Sequence, residues 1–311
     1  MKVITLGAHV LDILVRPVTE IPAGQQTALV EDIRVTAAGT AAGTALTLAK
    51  LGASVHTAGA VGTDASGDFL LTLLERAGID TKLVVRKPDH ATSSSVLPIR
   101  PDGDRPSLHL LGANPFYTLD DVNWDALRDA DHLHLGGPEL MGAPTAARIL
   151  AYAKDNGVTT SVDLIAPGSL GSLDAIAAVL PHTDYFLPND DQVLGFTGTT
   201  DLLDGCRILR DAGAGLLAVT RGADGTLLFG PEGPEDIPAF DIVPVDTTGC
   251  GDAFSAGFLR AVALGRSPRD AAILGNAVAA LVAGGLGSDH GDFNLAAADA
   301  FAAITRTRGD H

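Results

Sequence analysis

The chain has 311 residues, 46% of them apolar, and sets 21 basic against 38 acidic side chains for a net charge of −17. That size supplies a core for about two domains, or for one large α/β domain with an insertion. The acidic field repels nucleic acid and anionic membrane surfaces, so neither is an expected partner; an anionic ligand is still accommodated where backbone N–H groups and a metal ion meet it locally.

Along the chain, short apolar runs alternate with helical patterns. Strands are predicted at 3–6, 55–61, 132–135, 158–164, 185–187, 216–220 and 226–229. Most are continuously apolar, as in a sheet covered on both faces. Helices are predicted at 44–51, 64–77, 144–156, 201–212, 252–264, 268–283 and 295–305, several ending at a glycine such as Gly52, Gly78 or Gly157. The alternation predicts a mostly parallel sheet between helix layers, a single α/β domain over 1–311. Two stretches break the rhythm. Residues of about 12–37 hold Pro17, Pro22 and Gly24. Residues of about 92–111 read as strand, turn (Pro101-Asp102-Gly103-Asp104) and strand. They are expected to pair into a small β-sheet that acts as a lid.

His9 and Asp12 interrupt the first apolar run too early for a signal peptide, and no apolar stretch reaches membrane-spanning length. Cys206 and Cys250 make no disulfide framework and lack metal-ligand spacing. These features predict a cytoplasmic protein.

The segment Asp246-Thr247-Thr248-Gly249-Cys250-Gly251-Asp252 carries the most chemistry. Phe254, Phe258 and Val262 recur on one helical face, so a helix is expected to begin at about Asp252. The glycines just before it let N–H groups of residues 249–252 converge at the positive end of that helix, forming an anion hole with the Asp252 carboxylate at its rim. Both are parts that phosphoryl transfer needs. Glycines and one aspartate alone would favour a capped turn; the whole heptapeptide with its helix reverses that preference.

This heptapeptide, with Ala253 and Phe254, resembles the C-terminal signature of the ribokinase (PfkB) family of carbohydrate and nucleoside kinases. Other segments follow in family order: Ala38-Gly39-Thr40-Ala41-Ala42-Gly43, Gly59-Ala60-Val61-Gly62-Thr63-Asp64, Gly112-Ala113-Asn114, Pro188-Asn189, and Val219-Thr220-Arg221-Gly222-Ala223-Asp224-Gly225. The resemblance implies a ribokinase-like fold and transfer of the γ-phosphate of ATP, with Mg²⁺, to a hydroxyl of a sugar-like molecule. It implies Asp252 as catalytic base, with Gly249, Cys250 and Gly251 as the anion hole. Asn189, Thr220, Gly222, Gly225 and Asn276 would border the nucleotide, and Asp12, Gly39 and Gly43 the substrate. Asp246 and Thr248 would hold a K⁺ ion. The lid edge suggests a homodimer through paired sheets.

The chain departs from the family pattern at three positions. Gly43 stands where an asparagine usually contacts the sugar, so the acceptor is not expected to be gripped as ribose is. Gln192 stands where a glutamate helps organise Mg²⁺. Cys250 replaces the commoner alanine, and its thiol lies at a helix N-terminus, where a thiolate would be stabilised; a tolerated small residue is the plainer reading.

Weaker features have plain readings. Gly213-Ala214-Gly215 precedes a strand rather than opening a helix, and reads as a turn. His132 and His134 share a strand face and read as packing. Asp163, at a strand end, is either a cap or a site residue. Asp102-Gly103-Asp104 reads as a hairpin turn. Two alternatives stand beside the sugar kinase. One is a nucleoside kinase using Phe116 and Tyr117 to stack a purine. The other is a binding protein that kept the fold and lost the chemistry. A dinucleotide-dependent oxidoreductase lacks its glycine fingerprint after the first strand, and a P-loop NTPase lacks any Gly-Lys pair.

Overall fold

A computed structural model describes residues 1–101 and 104–309. In chain order the elements are β1 (Lys2–Gly7), β2 (Val10–Arg16), β3 (Asp32–Ala38), α1 (Thr40–Lys50), β4 (Ser54–Gly62), α2 (Ala65–Arg76), β5 (Asp80–Lys87), β6 (Ser94–Pro98) and β7 (Leu108–Leu110). Then follow α3 (Trp124–Arg128), β8 (His132–Gly136), α4 (Pro138–Met141), α5 (Ala143–Asp155), β9 (Thr159–Asp163), β10 (Tyr185–Phe186), α6 (Asp190–Thr197) and α7 (Leu202–Asp211). The chain ends with β11 (Leu216–Thr220), β12 (Thr226–Gly230), β13 (Gly233–Ile237), α8 (Cys250–Ala263), α9 (Pro268–Val282) and α10 (Leu295–Ile304).

The main sheet runs β13-β12-β11-β10-β9-β8-β1-β4-β5, with every strand parallel except β12, which is antiparallel to both its neighbours near one edge. Strand side chains alternate between two cores, as the period-two pleat requires. Val3 and Ala218 pack on the side of α1, α2, α8 and α9, whereas Ile4, Leu6, Leu217 and Val219 pack with α5, α6 and α7. Both faces are therefore covered, which explains the uninterrupted apolar strands.

The second sheet, β3-β2-β6-β7, stands apart. β2 pairs antiparallel with β3 and parallel with β6, and β6 pairs antiparallel with β7. Its strands come from the two arrhythmic stretches. The turn expected at Asp102-Gly103 lies outside the described residues; beside it, Arg100 N–H donates to the Asp104 carbonyl at 2.8 Å. Register puts Asp12, Thr36 and Ser95 on one face, and Ile13, Val15, Val35 and Val96 on the other.

Some elements differ from expectation. α8 begins at Cys250, two residues early, because Gly249 takes the left-handed N-cap conformation (φ 74°). α1 begins at Thr40 rather than 44, directly after Gly39. The edge strands β5 and β13 and the short α6 escape the pattern: charged and turn-forming residues interrupt their sequences, DTKLVVRK, GPEDI and DDQVLGFT.

Candidate active site

The carboxyl ends of the parallel strands open along one edge, where an α/β sheet binds its ligands. Gly249 carries the chain into α8, and a Cβ there would collide with Ser288. The Cys250 N–H is committed to the Thr247 carbonyl at 3.3 Å. Among the described residues, the N–H groups of Gly251 and Asp252 have no acceptor, as in any uncapped first turn. No atom lies within 4 Å of where a Gly251 Cβ would stand. Where four converging N–H groups are expected at 249–252, two free amides, an open space and the positive end of a 14-residue helix meet. Cys250 is no thiolate: its Sγ donates to the Ala279 carbonyl at 3.6 Å, and burial pushes the thiol up to about 12.

Carboxylates crowd this point. Burial, then the charge of Asp12, push Asp252 up to about 7, while Arg105 pulls it down. Burial raises Asp12 to about 6 against the opposing pull of the Ser95 hydroxyl and Arg105. Asp163, at the end of β9, is buried and raised well above the carboxylate range, by burial first and by Asp252 second. It is both cap and neighbour of Asp252: it accepts from Leu164 N–H at 2.8 Å and from the Ser255 hydroxyl, one turn along α8, at 3.1 Å. Arg105, on the β6–β7 connection, donates through Nε to Thr247 Oγ1 at 3.3 Å. The sequence reading missed it, since a single arginine in a turn carries no pattern.

Gly43 lies against Asp252. A Cβ on Gly43 would strike Asp252 Oδ2, so the helix α1 needs a glycine wherever Asp252 takes this position. Thr44 Oγ1 donates to the Asp252 carbonyl at 3.4 Å, tying the same turn to α8. Gly39, at φ 96°, lets the chain pass Ala8, whose carbonyl oxygen would be 2.6 Å from a Cβ.

Beyond α8 lies a mostly apolar cavity of about 270 Å³, lined by Gly222, Phe240, Ile242, Cys250, Asn276 and Ala279 among others. Asn276 spends its amide inward: Oδ1 accepts from Thr226 Oγ1 at 2.7 Å and Nδ2 donates to the Pro238 carbonyl at 3.2 Å. It shapes the cavity wall instead of offering polar atoms to a base. Thr220 and Gly225 are outside this lining. Thr220 bridges to Asn189, and Gly225 (φ 81°) packs on the backbone of residues 237–239.

Asn189 caps α6, accepting from Gln192 N–H at 2.8 Å, and Gln192 Oε1 accepts from Asn189 N–H at 2.9 Å. The Gln192 Nε2 donates to the carbonyls of Leu164 and Ala166, each at 3.1 Å. A carboxylate cannot make those two bonds. Gln192 therefore serves the protein's own backbone instead of standing in for a metal-organising glutamate. Among the described residues no group of three or more His, Cys, Asp or Glu side chains is arranged to hold a metal ion. Asp246 is buried, with Oδ1 accepting from Thr248 N–H at 2.9 Å and Thr248 Oγ1 at 2.7 Å, and Oδ2 from Gly287 N–H at 2.9 Å.

Phe116 stacks on His90 with ring centroids 3.4 Å apart, and Tyr117 is buried with its hydroxyl donating to the Asp121 carbonyl. Tyr117 is thus committed to the core, whereas Phe116 has one face on His90 and is 43% exposed. His132 and His134 share the Ser161 hydroxyl at 2.8 and 2.9 Å inside the sheet, a packing arrangement.

The pfkB family carbohydrate kinase model matches residues 2–292. An ATP-dependent ribose-1-phosphate kinase of Halopiger xanaduensis is 31% identical over the full length of both chains. A deoxyribokinase of Salmonella typhimurium is 29% identical over 82% of this chain and 83% of its own. Among solved structures, an Arabidopsis thaliana ribokinase complexed with ribose and ATP superposes with a TM-score of 0.81, at 23% identity over 97% and 98% of the two chains. An E. coli protein assigned as a ribokinase II, with ATP and Mg²⁺ bound, reaches 0.84 at 22% identity over 96% and 98%. The chain belongs to the pfkB family of carbohydrate kinases.

Proposed function

We propose that this kinase transfers the γ-phosphoryl group of ATP to a hydroxyl of a sugar or sugar-like acceptor, with Asp252 as general base. One observation carries the reading: the Asp252 carboxylate, held near neutrality in its titration, stands beside two unpaired amides and open space at the head of α8. The amides would take the charge that develops on the transferring group while Asp252 accepts the hydroxyl proton. Asp12, across from it on β2, would accept acceptor hydroxyls, with Gly39 and Gly43 bordering them. Asn189, Thr220, Gly222, Gly225 and Asn276 would shape the nucleotide side. Mg²⁺ would arrive with the ATP phosphates, the usual mode for an ion that keeps several waters. A K⁺ ion beside Asp246 and Thr248 fits a buried carboxylate that no Lys or Arg pairs among the described residues. The small sheet would act as a lid over the acceptor. Its outward face, with exposed Ile33, Val96 and Leu108, would pair two copies, and the enzyme would work in the cytoplasm.

A narrower reading has its own support. Arg105 is a cation felt by Asp12, Cys250 and Asp252 alike, and it stands over a site otherwise rich in carboxylates. It would meet an acceptor that carries its own anion, such as the sugar phosphate of the Halopiger relative. The deciding experiment is an ATP-consumption screen over ribose, deoxyribose, fructose, ribose 1-phosphate, sugar acids and nucleosides, run in K⁺ and in Na⁺. A phosphorylated acceptor is expected to be preferred, and Arg105→Ala should remove that preference without changing the apparent affinity for ATP. Asp252→Asn should lower kcat by at least ~10² while ATP still binds. Near-normal turnover by that variant would overturn the assignment. Equal rates in both salts would remove the K⁺ site, and a monomer in light scattering would remove the lid dimer.

A further inference from the structure

A second cation-centred structure lies behind the anion hole, formed by the loop that follows α9. Lys50, the last residue of α1, sends its ammonium into that loop. Its Nζ donates to the carbonyls of Asp289, His290 and Gly291 at 2.6, 3.0 and 2.6 Å. All three N–H bonds of the ammonium are spent on backbone oxygens. The ring of Phe293 closes a further side, 5.0 Å from Nζ to its centroid. Three consecutive carbonyls aimed at one point repel one another unless a cation sits between them. The fold therefore brings this charge with it.

The loop so gathered touches both the 246–252 segment and the small sheet. Gly287 N–H donates to Asp246 Oδ2 at 2.9 Å. Ser288 packs against Gly249, the N-cap of α8, and its hydroxyl donates to the Ala37 carbonyl of β3 at 2.8 Å. Asp289 pairs with Arg34, also on β3, at 2.9 Å. Residues 287–291 thus join the anion hole to a strand of the small sheet, and Lys50 holds the far end of that span.

We propose that Lys50 is a positioning residue for phosphoryl transfer: its ammonium folds residues 289–291 into a carbonyl cage that sets Gly287 and Ser288 against Asp246 and Gly249. It touches neither reactant. Removing it lets the cage open, so the amides of Gly251 and Asp252 lose their fixed aim at the transferring group, and closure of the small sheet loses its coupling to them. The proposal rests on the kinase reading above for its kinetic arm only.

The test uses the full chain and two readouts. In hydrogen exchange, Lys50→Ala is expected to speed exchange of the amides in 246–252 and 286–291 relative to wild type, while β8 and β9 stay protected. In steady-state assays with the acceptor found by the screen, Lys50→Ala should lose roughly 10- to 100-fold in kcat with a smaller change in the KM for ATP, as a small misplacement of catalytic groups does. Added methylammonium, with K⁺ held saturating, should restore part of both readouts in Lys50→Ala and leave wild type unchanged. Lys50→Arg, which can still donate to carbonyls, should stay within a few-fold of wild type. If Lys50→Ala does not fold, Lys50→Gln takes its place, retaining two N–H donors without the charge, and the same losses are expected. Unchanged exchange at 246–252, or a lowered melting temperature with wild-type kcat, would overturn the proposal. An inactive wild type would defeat the kinase reading instead and leave the exchange result standing.

Discussion

At the scale of single residues, two departures from the family pattern have local physical causes. Gly43 leaves room for Asp252 Oδ2, so the absent side chain concerns Asp252, the proposed base, as much as the acceptor. Gly43→Asn is expected to push the carboxylate aside and lower kcat/KM by about 10²-fold with little change in melting temperature; kinetics of the purified variant decide it, and unchanged turnover would refute the packing argument. Gln192 donates to two carbonyls from a buried amide. Gln192→Glu would replace those bonds with a carboxylate facing two oxygens, at a cost of about 1–3 kcal/mol. The introduced acid would have a raised pKa in the folded state, so the loss should deepen as pH rises above about 4.3, its unfolded value. Urea titrations at pH 5 and pH 8 measure this, and equal losses at the two pH values would contradict it.

Between elements, β2 and α8 bring two acids together that no sequence spacing connects. Burial, and then the charge of Asp12, raise Asp252 to about 7, so the deprotonated carboxylate that the proposed base role needs is favoured as pH rises through that region. kcat/KM is expected to climb with pH and level off above about 8. Asp12→Asn removes a neighbouring negative charge and should move the climb to lower pH, whereas Arg105→Ala removes an opposing positive charge and should move it higher. A pH–rate profile of the three proteins checks both directions; a shift of either variant in the opposite sense would mean that the charges do not meet as described. The β5 and β13 edges show the converse limit of sequence reading. Their charged residues hide strands that pair well once a neighbour is present.

For the molecule as a whole, the site costs stability. Asp252 has its pKa raised in the fold, so its contribution is complete below the unfolded value near 3.8 and is lost as pH rises through about 7. Asp252→Asn should therefore melt at a higher temperature than wild type at pH 8, by at least about 2 °C, the shift expected from about 1 kcal/mol in a chain of this size. The gain should shrink to nothing near pH 4. Calorimetry at the two pH values tests it, and a variant that melts lower at pH 8 would show that the carboxylate contributes a needed contact. Such a cost is what a functional site imposes on the fold that carries it.

The sequence by itself determined the α/β alternation, the second small sheet from its two arrhythmic stretches, and the family through the segment from Asp246 to Asp252. These follow from local signals: apolar period, glycine placement and a helix start, all of which act over a few residues. Only the tertiary structure decided what Gly43, Gln192, Arg105 and Lys50 do. Each acts on a partner at least 26 positions away, Gly43 and Lys50 across more than 200 residues, and each depends on a direction in space that a linear chain does not record. The same holds for Asp12 and Asp252, whose basicity is set by a distance and a degree of burial that exist only after the two sheets have come together.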